Sequence, residues 1–173
     1  MTETFARGQV AKSYIAVVRG FTNEAASIDH PLPERWDKMT GRREDRERPE
    51  QEARTDYRRL ATIELPYPVG RYATARFSLI EAAPLTGRMH QIRRHLKHIF
   101  HPVIGDTTYG DGRQNEFIRK TFGCRRMLLH SRTIGFSHPF DDRQVRIHAP
   151  LPEDFNALLA AMNWDGIALP CSS

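Results

Sequence analysis

Cysteine is nearly missing from this chain. Only Cys124 and Cys171 occur in 173 residues, far apart and at no metal-ligand spacing, which excludes a disulfide scaffold and points to a reducing compartment. Long apolar runs are missing as well, so neither a signal segment nor a membrane span is expected, and the protein reads as soluble and cytoplasmic. The glycines at 87, 105, 110 and 112 fall in no phosphate-cradling pattern, and no serine or cysteine sits in a nucleophile elbow. Acid is in short supply too. Asp and Glu number 21 against 26 Lys and Arg, a net charge of +5 that favours a polyanionic partner. With 39% apolar residues the chain can bury one core but hardly two, so residues 1–173 are expected to form one domain or part of one.

What the chain does have is concentrated between Thr86 and Gly110. This run carries cations, imidazoles and an apolar stripe, Met89, Ile92, Leu96 and Ile99, at helical spacing, with Arg93, Arg94 and Lys97 beside it. His90, His95, His98 and His101 invite a metal reading, but the interleaved cations would repel a divalent ion, and no metal or cofactor is expected. Strands are predicted at 12–20, 60–65, 74–82, 127–136 and 144–149, and helices at 116–122, stopped by Gly123, and at 152–162. A helix end is expected at 4–10, with Gly8 in the stop position. Residues 30–54 mix both charges with little apolar content and read as a mobile arm whose Arg42, Arg43, Arg46 and Arg48 could touch phosphates. The expected class is α/β of the α+β type, a mainly antiparallel sheet with flanking helices on one side.

Two segments carry a resemblance. Gly87-Arg88-Met89-His90-Gln91-Ile92-Arg93-Arg94-His95-Leu96, continued by His101-Pro102-Val103-Ile104-Gly105-Asp106-Thr107-Thr108-Tyr109-Gly110, resembles the C-terminal signature of pseudouridine synthases of the ribosomal-large-subunit-A type. Lys12-Ser13-Tyr14-Ile15-Ala16-Val17-Val18-Arg19-Gly20 resembles the family's tyrosine motif. The doubled Arg93-Arg94, the 110–115 segment and the 127–130 strand are most similar to the members that act on tRNA.

The resemblance implies an isomerase that detaches a uracil, rotates it and rejoins it through C5 without a cofactor, acting on a tRNA uridine, position 65. It implies catalytic roles for Tyr14, stacked on the flipped uracil, and Arg93, paired with the nucleophilic aspartate. RNA contacts are expected from Arg88, His90, Arg94 and Lys97. Family members carry that aspartate in an H-R-L-D loop upstream of the tyrosine motif, and no such loop occurs in these residues. The chain is therefore expected to be a C-terminal portion, inactive alone, with a separate N-terminal portion as one possible partner. Three expectations follow: Tyr14 and Arg93 share a cleft; Arg93 has lost its carboxylate and reaches solvent, an anion or a substitute acid; and Val10, Ile15 and Val17 lie near an exposed, self-associating edge. Asp106 reads as a turn or cap residue. The alternative is a non-catalytic module that binds structured RNA, and a histidine-based metal hydrolase is the remote third.

Overall fold

The computed structural model describes residues 10–34 and 49–169. In chain order the elements are β1 (Ala11–Arg19), β2 (Ala25–Asp29), β3 (Leu32–Pro33), β4 (Glu50–Gln51), β5 (Arg54–Leu65), β6 (Ala75–Pro84), α1 (Gln91–His98), α2 (Gly112–Phe122), β7 (Leu129–Ser137), β8 (Gln144–His148) and α3 (Glu153–Ala161). Six strands form one sheet in the order β2-β5-β6-β1-β7-β8, and every neighbouring pair is antiparallel. β3 and β4 make a separate two-stranded ribbon. The α+β architecture is the expected one, and no helix among the described residues is long and apolar enough to cross a membrane.

Strand alternation divides the core in two. Ile15, Val17, Phe77 and Leu79 turn to one face of the sheet, where Ile118 of α2 and Phe155, Leu158 and Leu159 of α3 cover them. Ala16, Val18, Ile80 and Ala82 turn to the other, where α1 lays down Ile92 and Leu96. Helices therefore flank both faces, which corrects the one-sided expectation: β1 and β6 are apolar on both sides and each side needs its own cover. Each fully buried aliphatic side chain of this kind contributes on the order of 1.5–3 kcal/mol.

The expected exposed edge at Val10, Ile15 and Val17 is also overturned. β1 pairs with β6 on one side and β7 on the other, and all three residues are buried. The sheet edges are β2 and β8 instead. Of the charged stretch at 30–54, the ends are ordered as β3, β4 and the start of β5, while Arg42, Arg43, Arg46 and Arg48 lie outside the described residues, as do the segment around Gly8 and Cys171.

α1 is shorter than its apolar stripe suggests. It starts at Gln91, after His90 has taken a left-handed φ of 55°, so Met89 falls outside the helix and is exposed. Gln91 and His95 fill the buried face beside Ile92 and Leu96. α2 starts at Gly112, four residues earlier than expected, because the Asp111 carboxylate accepts from the backbone amides of Arg113 and Gln114. Two glycines permit close packing near the end of the signature. A Cβ on Gly105 (φ 79°) would run into the Arg126 carbonyl, and one on Gly110 into the Asp106 carbonyl.

Candidate functional site

A cleft of about 370 Å³ opens where the start of β1 meets the start of α1. Tyr14 and Arg93, 79 positions apart in the chain, both line it. Tyr14 is brought there by register. It points to the same face as Ala16 and Val18, and the β1–β7 pairing is bulged beside it, with Arg132 of β7 the extra residue between Thr133, opposite Ser13, and Ser131, opposite Tyr14. The floor is apolar, from Ile92, Met127 and Leu129, and the rim carries Lys12, Arg88 and His90. α1 begins at this cleft with no side-chain cap and no acid in its first turn, so its amide end adds positive potential there.

Arg93 has a carboxylate partner within the chain. Its Nε and Nη2 donate to Asp106 Oδ2 and Oδ1 at 2.6 and 2.7 Å, a bidentate pair in which the acid is wholly buried and the arginine nearly so. Of the three fates expected for Arg93 (solvent, an anion or a substitute acid), the structure shows the last, with Asp106 as the acid. Asp106 is a cap residue too, since Oδ1 also accepts from the amides of Thr108 and Tyr109, both at 2.9 Å. Burial pushes the Asp106 carboxyl up, but the Arg93 hydrogen bonds and these two amides outweigh it and hold the group below its ordinary value. The Tyr109 ring completes the brace, with the Arg93 guanidinium 4.9 Å from its centroid, Lys97 Nζ at 5.8 Å and the His90 ring edge-on.

The lip of the cleft is fixed by Gln91. Its buried amide spends every hydrogen-bonding group: Oε1 accepts from Thr86 Oγ1 and the Arg88 amide, and Nε2 donates to the Arg54 carbonyl and Thr55 Oγ1. Beneath it His95 is wholly buried, its Nδ1 on Thr55 Oγ1 at 2.9 Å and its Nε2 on the His30 carbonyl at 3.0 Å. A carbonyl can only accept, so Nε2 carries the proton and Nδ1 accepts from the threonine hydroxyl. Burial pulls the His95 pKa below its ordinary 6.5, the direction of a neutral ring. Because the unfolded chain binds that proton more readily, stability is complete above pH 6.5 and falls as pH drops below it. Melting curves of the wild type and His95→Gln between pH 8 and 5 should converge at the acid end; curves that stay parallel would mean that His95 does not titrate this way.

Each of the four histidines is engaged in a protein contact. His90 Nδ1 meets Tyr109 Oη, His95 is in the network just described, His98 stacks on His30 with centroids 3.7 Å apart, and His101 Nδ1 donates to the Arg19 carbonyl. Among the described residues no group of three or more His, Cys, Asp or Glu is placed to hold a metal ion. Of the expected RNA contacts, Arg88 and His90 line the cleft, while Arg94 and Lys97 lie on α1 outside it. Arg88 Nε donates to the Glu52 carbonyl and Arg94 Nη2 to the Pro33 carbonyl, which holds the β3–β4 ribbon against the helix.

Sequence reasoning missed Lys12, whose ammonium reaches the Thr86 carbonyl at 3.4 Å and whose pKa burial pushes down. The alternation of β1 carried the signal, because Lys12 and Tyr14 are two residues apart.

A family model described as RNA pseudouridylate synthase matches residues 1–98. The tRNA pseudouridine synthase C of Haemophilus influenzae is 44% identical over 167 residues, covering 96% of this chain and 70% of that protein. The protein of the same name from Vibrio cholerae is 42% identical, covering 92% of this chain and 66% of its own length. Among solved structures, human RNA pseudouridylate synthase domain containing 1 superposes with a TM-score of 0.64 at 29% identity, over 87% of this chain and 58% of the human one. Domain containing 4 gives 0.66 at 25% identity, over 94% and 66%. The chain thus spans 66–70% of the length of the two bacterial relatives and 58–66% of the two human ones.

Proposed function

Because the chain belongs to the RNA pseudouridylate synthase family, we propose that its Tyr14–Arg93 cleft receives a flipped uridine of tRNA, uridine 65 by resemblance, and takes part in its conversion to pseudouridine. The observation that carries the reading is the meeting of Tyr14 and Arg93 in one cleft with an apolar floor and a cationic rim. The conversion breaks the bond from C1′ to N1 and forms one from C1′ to C5, with a proton leaving C5 and another arriving at N1. The half-buried Tyr14 ring offers a face for the uracil and a hydroxyl near C5. Arg93 gives one edge of its guanidinium to Asp106, and the other edge is the group offered to the carboxylate that attacks the sugar or base. Asp106 itself is spent on Arg93 and two backbone amides, so it is a positioning residue in this reading rather than the nucleophile. No residue set in these 173 matches the family's H-R-L-D loop, and the chain alone is proposed to bind without turning over. Placement in the cytoplasm belongs to the same proposal.

Flipping a nucleotide costs a few kcal/mol, which stacking and phosphate contacts offset. Lys97 and Arg94, on the exposed side of α1, are proposed to supply such contacts. Titrating an unmodified tRNA transcript at a series of salt concentrations tests this: log affinity should fall linearly with log salt, and Arg94→Ala or Lys97→Ala should each flatten the slope by roughly 0.7–0.9. An unchanged slope reassigns that residue to a solvated helix face.

A further inference from the structure

A second cleft, of about 560 Å³, lies at the opposite ends of β1 and α1 from the first. Phe21 enters it from the turn after β1, Tyr72 from the β5–β6 connection, Phe100 from the end of α1 and Gln114 from the first turn of α2. The three aromatic rings are unusually bare, with Phe21 42%, Tyr72 50% and Phe100 78% exposed. Phe100 is also strained. It sits at φ 64°, its amide on the Lys97 carbonyl, while the His101 amide caps the Leu96 carbonyl, a helix-ending position that glycine ordinarily fills. Neither burial nor backbone geometry accounts for a phenylalanine there.

Two further features describe the ligand. The Arg76 guanidinium lies 5.4 Å from the Phe21 centroid and Arg71 5.2 Å from that of Tyr72, so the ring faces are paired with planar cations. Gln114 lines the cleft at 5% exposure, and its buried Oε1 has no hydrogen-bond partner among the described residues. A flat π system with a polar edge suits both features at once. We propose that this cleft binds an unpaired nucleobase of the RNA, stacked on Phe100 and Phe21, with its polar edge toward the Gln114 amide. The proposal rests on the RNA reading above. The eight residues of α1 rise about 12 Å, so the two clefts are close enough to engage one RNA together.

The test is the affinity of the 173-residue chain for an unmodified tRNA transcript across a salt series, with melting curves alongside. Phe100→Gly should weaken binding about tenfold, the scale of one lost base stack, with an unchanged salt slope and a melting point equal to or above wild type because the strain is relieved. Gln114→Leu should weaken it as well. If the wild type binds tRNA and both variants bind equally well, the second cleft is not an RNA site, although the Tyr14–Arg93 reading stands. If Phe100→Gly changes the slope, the contact is to phosphate and base stacking is wrong. If it abolishes a self-association of the chain while leaving RNA affinity intact, the occupant is a second copy and the proposal falls. If the wild type itself fails to bind tRNA, both readings fall together.

Discussion

Asp106→Ala is expected to cost about 3–5 kcal/mol of stability, the penalty for removing one partner of a buried ion pair. The loss has two parts. Arg93, 15% exposed in its side chain, keeps its charge with no counter-ion, and the amides of Thr108 and Tyr109 lose their acceptor. Asp106→Asn should cost less, since an amide oxygen can still accept from those two N–H groups while the ion pair is gone. The acid response gives a second readout. The folded-state pKa of Asp106 is lowered from 3.8, so its contribution is fully present above that value and is lost as pH falls through the lower folded value. Both variants should lose that part of the acid sensitivity. A denaturant midpoint for Asp106→Ala that corresponds to less than about 1 kcal/mol would show that the pair orients Arg93 without stabilising the fold.

Turnover by the 173 residues alone should be undetectable in a tritium-release assay on tRNA labelled at C5 of uridine. Glycosidic transfer needs a placed carboxylate. Glu81 accepts from Ser13 and Arg58 and pairs in register with Ile15, so it points to the opposite face from Tyr14, and Asp106 is buried under Arg93. Fusing to the chain the part of the Haemophilus influenzae relative that it does not cover should bring release up to the level of that relative, and Tyr14→Phe in the fusion should abolish it. Release by the unfused chain would mean that an aspartate already present, Asp106 foremost, performs the attack, and the positioning role assigned to it would be wrong.

Most of the sheet was legible because β1, β5, β6, β7 and β8 carry enough β-branched and apolar residues to mark them. β2 was not, since Ala25-Ala26-Ser27-Ile28-Asp29 has one well-buried side chain and owes its extended form to pairing with β5. The cover on both sheet faces followed from β1 being apolar on both sides, a run that alternation alone does not divide between faces. Within the site, Tyr14 and Arg93 came from motifs. Asp106 was legible as a cap but not as the partner of Arg93, because a bond between positions 93 and 106 requires the chain to turn back after α1, and that turn depends on Phe100, Gly105 and the packing of Ile104. His95 read only as one of four imidazoles interleaved with cations and is a neutral buried one, because Thr55 and the His30 carbonyl reach it from a strand and a turn distant in sequence.

Photo-crosslinking with a tRNA transcript carrying 4-thiouridine in place of uridine, followed by identification of the crosslinked peptides, tests most directly whether the Tyr14–Arg93 cleft takes the base. Crosslinks at Lys12 or Tyr14, or between Pro84 and Arg93, are predicted, lost on competition with unlabelled tRNA, with or without others at the Phe21–Phe100 cleft. Crosslinks confined to β8 or α3, with the Tyr14–Arg93 cleft unlabelled, would contradict the account.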